Sequence, residues 1–198
     1  MKINGFLIAF FVMLFFGSSC DLDATNGNGN ITTQERTATG FDSVFFQTKG
    51  SVNIHFAENF KVEVTTDSNI QDIIKIEVIN MRLFITTIDN SRLNPTKLII
   101  DVYMPELTDI YLQSSGTITV TGNALELKIY HQGSGIVDTV NYEVQTVNAY
   151  IQGTGNIKTW AVNTLNANIS TSGDILYKGN PTVNQNISRT ATGKIRRL

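Results

Sequence analysis

The chain has 198 residues, room for one ordinary domain or one elongated repeat domain. At 41% hydrophobic and 16% charged it is too apolar for a disordered chain, and it lacks a collagen-like period. The net charge of -2 and the absence of any basic run longer than Arg196-Arg197 argue against nucleic acid as a partner. Abundant Asn, Thr and Gly suit strands and turns better than helices.

Lys2 precedes an apolar run from Phe6 to Phe16, which ends in Gly17-Ser18-Ser19-Cys20. A positive start, a short apolar stretch and a small-residue exit predict a secretory signal peptide over residues 1–19. The run is too short to cross a bilayer, which takes about 20 residues. Cys20 is the only cysteine, so no intrachain disulfide can form. The segment resembles a bacterial lipoprotein signal, with Gly17 where Leu is usual, and this implies that Cys20 is the lipidation site. Two or three acyl chains anchor stably where one is marginal. The expected address is therefore extracytoplasmic and membrane-anchored, at the outer membrane or cell surface of a Gram-negative bacterium. Residues 20–30 then read as the lipidated Cys and a flexible Gly/Asn-rich tether, and 31–198 as the folded domain.

Within that domain, alternation predicts strands at Phe41–Phe46, Ser51–Phe56, Lys61–Thr65, Lys75–Ile79, Leu83–Thr87 and Lys97–Met104. Asp67 to Ile74 reads as one helical turn capped by Asp67 or Ser68. Asn80-Met81 and Asp89–Pro95 read as turns. The segment is expected to form wider initial coils, continuous with the C-terminal half of the same domain.

From residue 110 the chain repeats. Small-Gly-x-aliphatic occurs at Gly116, Gly135, Gly155, Gly173 and Gly193, at intervals of 18–20 residues. Each Gly is expected to mark a corner that needs positive φ or close backbone approach. Upstream triplets align as Ile110-Tyr111-Leu112, Ile129-Tyr130-His131, Ala149-Tyr150-Ile151 and Ala167-Asn168-Ile169, with Gln185-Asn186-Ile187 as a degenerate fifth. Their first and third residues should face inward and the middle one outward. The pattern predicts an all-β fold, a single-stranded parallel β-helix or solenoid with coils of about 18–20 residues, each rising about 4.8 Å. Right-handed winding is the expectation. An antiparallel sandwich, with turns every 8–12 residues, is the rival.

These features together resemble the head GIN domain family, also called the putative auto-transporter adhesin head. The matching elements are the lipoprotein-like start, Arg36…Phe41-Asp42-x-Val44, Gly50-x-Val52-x-Ile54, Lys61-Val62-x-Val64, Leu98–Leu107 and the serial Gly motifs. The resemblance implies a β-helical extracytoplasmic domain with an adhesive or scaffolding role and no catalytic residues to carry over.

Residue chemistry adds little to suggest catalysis. Of two histidines, His131 falls on the inward column and His55 outward, and neither has metal-ligand spacing. Asp109, Asp138 and Asp174 occupy different phases of the repeat and should not cluster. No catalytic residue, metal or cofactor is assigned. Tyr111, Tyr130 and Tyr150 share an outward phase, either as an exposed strip that binds a glycan or an envelope or surface protein, or as a structural aromatic ladder. The reading is a non-catalytic binding, adhesion or scaffolding module. The alternative is a carbohydrate-active enzyme, lyase- or hydrolase-like, with its site on residues 41–105.

Overall fold

Alternating aliphatic and polar residues, rich in β-branched types, favour strands throughout this chain. The computed structural model describes residues 24–198, so the expected signal peptide and Cys20 lie outside the described residues. The strands are β1 (Thr25–Asn26), β2 (Ile31–Arg36), β3 (Ser43–Phe46), β4 (Ser51–Phe56), β5 (Lys61–Asp67), β6 (Ile74–Ile79), β7 (Arg82–Thr87) and β8 (Leu93–Asn94). They continue as β9 (Leu98–Met104), β10 (Asp109–Leu112), β11 (Thr117–His131), β12 (Ile136–Ile151), β13 (Asn156–Ile169), β14 (Ile175–Lys178), β15 (Thr182–Ile187) and β16 (Ile195–Arg197). Among the described residues, helical geometry is confined to two 3-10 turns, Gln71–Ile73 and Ile88–Asn90. The fold is all-β.

All but β1 and β8 belong to one mixed sheet that bends into two ladders. One ladder runs β2-β5-β9-β4-β11-β12-β13-β14-β16, and the other β6-β7-β3-β10-β11-β12-β13-β15. Strands β11, β12 and β13 serve both, because each passes the bend without leaving the sheet; the register shifts there, between Thr119 and Thr121 in β11 and between Thr139 and Glu143 in β12. From β10 onward every pairing is parallel, and like residues meet: Ile110 with Ile129, Ile129 with Ala149, Ala149 with Ala167. These offsets of 19, 20 and 18 residues are the repeat read in the sequence.

The inward columns are as expected. Ile118, Val137, Ile157 and Ile175 stack in register and are fully buried, and Leu127, Val147 and Leu165 do the same at the other ladder. The degenerate fifth copy is where cover runs out: Ile187 is 41% exposed and Val183 and Ile195 are only partly buried.

The segment from β2 to β9 departs from the expectation of successive coils. β3 lies between β7 and β10, and β4 between β9 and β11, so the earliest strands are intercalated among later ones. β5 runs antiparallel to β9, β2 antiparallel to β5, and β6 antiparallel to β7. The tight β6–β7 connection forces the last of these: Asn80 and Met81 both take left-handed backbone (φ 51° and 61°), as in a two-residue hairpin turn, which can join only antiparallel strands. The sequence pattern specified strands but not which neighbours they take.

Two local expectations also change. The helical turn is shorter than expected and carries no side-chain cap, because Asp67 is used elsewhere. Its carboxylate accepts from the Gly29 N–H at 2.7 Å and the Thr96 N–H at 2.8 Å. Burial pushes that carboxyl up, but these bonds outweigh it and hold it below its usual range. Residues 25–30, expected as tether, are therefore tied down: β1 pairs with β8, and Asn28 bonds to Asn69 and Ser68.

His131 takes its inward place between Leu112 and Ile151. It is buried, its Nε2–H donates to the Gly135 carbonyl at 2.9 Å, and Nδ1 has no partner among the described residues. Burial lowers its pKa, so the native ring stays neutral. The unfolded chain takes up a proton near the ordinary value of 6.5, while the native state resists it. Stability should therefore be flat above that pH and fall as the pH drops below it. Between pH 7.5 and 5.5 the thermal midpoint of the parent should fall more than that of His131→Leu; equal slopes would show that His131 is not held neutral. Truncation in the stacked column is expected to be severe too, with Ile157→Ala losing about 2–5 kcal/mol in denaturant unfolding.

Candidate functional site

The three tyrosines are brought together as expected. Tyr111 pairs with Tyr130 and Tyr130 with Tyr150, and their rings stack at 4.7 and 5.0 Å between centroids, within 7° and 6° of parallel. This spacing is the strand spacing, so the backbone register itself sets the stack. The column extends further than the sequence indicated. Phe45 pairs with Tyr111, and Phe84 with Phe45 at a ring separation of 5.0 Å. The Arg82 guanidinium lies 3.8 Å from the Tyr111 ring centre, a cation–π contact. Burial, and after it the Asp109 charge, pushes the Tyr111 phenol up. Each interior tyrosine thus gives its faces to neighbours and presents its edge and hydroxyl outward.

Amide ladders flank the rings. On one side Gln113, Gln132 and Gln152 bond in series, Gln132 to Gln152 at 2.9 Å. On the other Asn184 donates to Asn166 and Asn166 to Asn148, both at 2.8 Å. The tyrosine column ends at Tyr150, whose next neighbour is Asn168, and Asn186 donates to Asn168 at 3.2 Å. At that step a cavity of about 140 Å³ opens between Tyr150, Gln152, Asn168 and Asn186.

A larger groove of about 600 Å³ lies where β11 bends, among Phe56, Glu106, Leu107, Leu125 and Tyr142. Gly122 sits there with φ 128°, and a Cβ would crowd the Phe56 ring. Phe56 stacks on Tyr142 at 5.3 Å, and Leu125 is 81% exposed. The Tyr142 hydroxyl is buried without a partner among the described residues. Burial, with the Glu106 charge second, holds that phenol well above its ordinary value.

The acids do not converge. Asp138 lies 3.7 Å from Lys158, Asp174 pairs with Arg196, and Asp109 accepts from Thr108 at 2.9 Å. His55, outward as expected, meets Asp101 at 3.2 Å and stacks on Tyr103. Among the described residues no group of three His, Cys, Asp or Glu could hold a metal.

An all-β chain of in-register strand levels, with one face covered by aromatic and amide ladders, defines the class of protein. The particular family comes from the comparisons: the family model "Putative auto-transporter adhesin, head GIN domain" matches residues 40–133 and again 111–181, and the chain belongs to that family. Among solved structures it is similar to a putative adhesin from Bacteroides fragilis, at 19% identity and a TM-score of 0.62, covering 88% of this chain and 100% of that one. A putative adhesin from Parabacteroides merdae is 18% identical with a TM-score of 0.42, covering 89% of this chain and 99% of that one. No curated protein matches the chain.

The geometry sets two expected outcomes. Tyr130 stacks on both faces and Tyr150 on one, so Tyr130→Ser should destabilise more than Tyr150→Ser, by about 0.5–1.5 kcal/mol for the extra pair. Equal losses in parallel melts would mean that the second ring contact adds nothing. Tyr142→Phe removes a buried hydroxyl that has no partner among the described residues, so its midpoint should match or exceed the parent's. A clear drop would show that the hydroxyl is bonded.

Proposed function

We propose that this protein is a non-catalytic binding module, adhesive or scaffolding, held outside the cytoplasm by lipid on Cys20. Residues 109–197 would wind as a single-stranded parallel β-helix that projects its laddered face from the membrane. Family membership supports the adhesive reading, and the sequence of residues 1–20 supports the anchor. The observation that carries the binding reading is the ladder face itself. Its rings and amides are fixed by one another at strand spacing, so a partner would meet a surface that loses little entropy on contact. Asp109, Asp138 and Asp174 stand apart, each with its own partner, so the repeat levels offer a carbohydrate-active enzyme no acid pair.

Cys20→Ala should shift the protein from the membrane to the soluble fraction and abolish metabolic lipid labelling. Membrane retention without lipid label in the parent would contradict the anchor. For the face, the triple variant of Tyr111, Tyr130 and Tyr150 to Ser should lose capture of envelope material by the purified protein. Turnover of a polysaccharide panel that vanishes on changing one acid would replace the binding reading with catalysis.

A further inference from the structure

The tyrosine ladder stops at Tyr150, and the residues around that end form a recess of a distinct chemical kind. One face of the Tyr150 ring is taken by Tyr130. The in-register neighbour on the other side is the shorter Asn168, so the second face has no ring against it. The cavity of about 140 Å³ opens there, far below the roughly 300–1,000 Å³ of a drug-sized pocket and suited to a single ring. None of its lining residues is charged.

The polar groups around it are only partly committed. Gln152 accepts from Gln132 through Oε1, which leaves its Nε2 donor. Asn168 accepts from Asn186 through Oδ1, which leaves its own Nδ2 donor and the Asn186 carbonyl. Ser188 adds a hydroxyl at the rim. An aromatic face with uncharged amide donors and acceptors beside it matches a ring that has C–H groups on one side and hydroxyls at its edge. A charged ligand would lose hydration with no counter-charge to meet it. We propose that this recess is a subsite for one ring of a neutral saccharide. The proposal rests on the binding-module reading and narrows the ligand to a neutral glycan at a stated place.

The test uses the full-length protein in detergent. Neutral hexose and N-acetylhexosamine trisaccharides are the probes in saturation-transfer NMR, with uronate trisaccharides as charged comparators. A neutral trisaccharide should bind with millimolar affinity, and the uronates should not. Tyr150→Asn replaces the ring with the residue type that continues the column. Asn168→Asp still accepts from Asn186 but loses the free donor. Each should weaken binding about tenfold or more, while Glu58→Gln, in the exposed connection between β4 and β5 and absent from the recess lining, leaves it unchanged. If Tyr150→Asn fails to fold, Asn168→Asp decides the matter alone. Absence of neutral-glycan binding, preference for uronates, or undiminished binding by Asn168→Asp in a folded protein would each overturn the subsite. Envelope capture that persists while neutral glycans neither bind nor compete would leave the module standing and remove only the subsite.

Discussion

The architecture depends on how closely one strand level can approach the next at the glycine corner. At Gly135, Gly155, Gly173 and Gly193 a Cβ would come closer than 3.0 Å to the carbonyl oxygen of the corner glycine one level before. None of these four has positive φ, so the constraint is space and not backbone conformation. The reason is visible in the hydrogen bonds. The Gly116 carbonyl accepts from the Ile136 N–H at 3.1 Å and the Gly135 carbonyl from the Asn156 N–H at 3.1 Å, so these oxygens point along the stack at the next corner. A side chain there would push the levels apart and break the bonds that satisfy the corner backbone.

Once the corners close, register determines the remainder. The same offset that superposes glycines superposes Ile157 on Ile175 inside and Tyr130 on Tyr150 outside. The buried His131 is accommodated by the same economy of space, since its ring lies where a side chain on Gly155 would fall. Core, aromatic stack and amide ladders are thus three expressions of one registration. The N-terminal strands solve a different problem. A stack of parallel strands leaves an open edge, which invites pairing with another chain, and the antiparallel strands β2, β5 and β6 cover that end of both ladders. The C-terminal side finishes with Arg196 and Arg197 on β16, and charge on an edge strand discourages further pairing.

The legible parts of the sequence were those with a local period. The columns Ile110–Ile129–Ala149–Ala167 and Tyr111–Tyr130–Tyr150 could be read because consecutive levels are consecutive in the chain. Phe45 and Phe84 belong to the same outward column, yet they escaped notice because β3 meets β10 across 66 positions, as Asp109 meets Ser43. No period connects them. The intercalation of β3 and β4 was hidden for the same reason: alternation tells which way side chains point, not which strand lies alongside. Asp67 looked like a helix cap because Asp favours both caps and loop clamps, and its partners Gly29 and Thr96 are remote in sequence. The recess at Tyr150 was half legible, since Asn168 visibly ended the tyrosine phase. Its flanking Gln ladder depends on side-chain bonds that no residue pattern announced.

The corner constraint can be tested by itself. Gly155→Ala adds one methyl where the preceding level's carbonyl already stands, while Thr154→Ala, at the exposed neighbouring position, removes atoms and adds none. In denaturant unfolding Gly155→Ala should lose more than about 3 kcal/mol, above the usual range for overpacking, and Thr154→Ala should stay within about 0.5 kcal/mol of the parent. If Gly155→Ala unfolds at the same denaturant concentration as the parent, the levels are not held at glycine contact and the account of the stack is wrong.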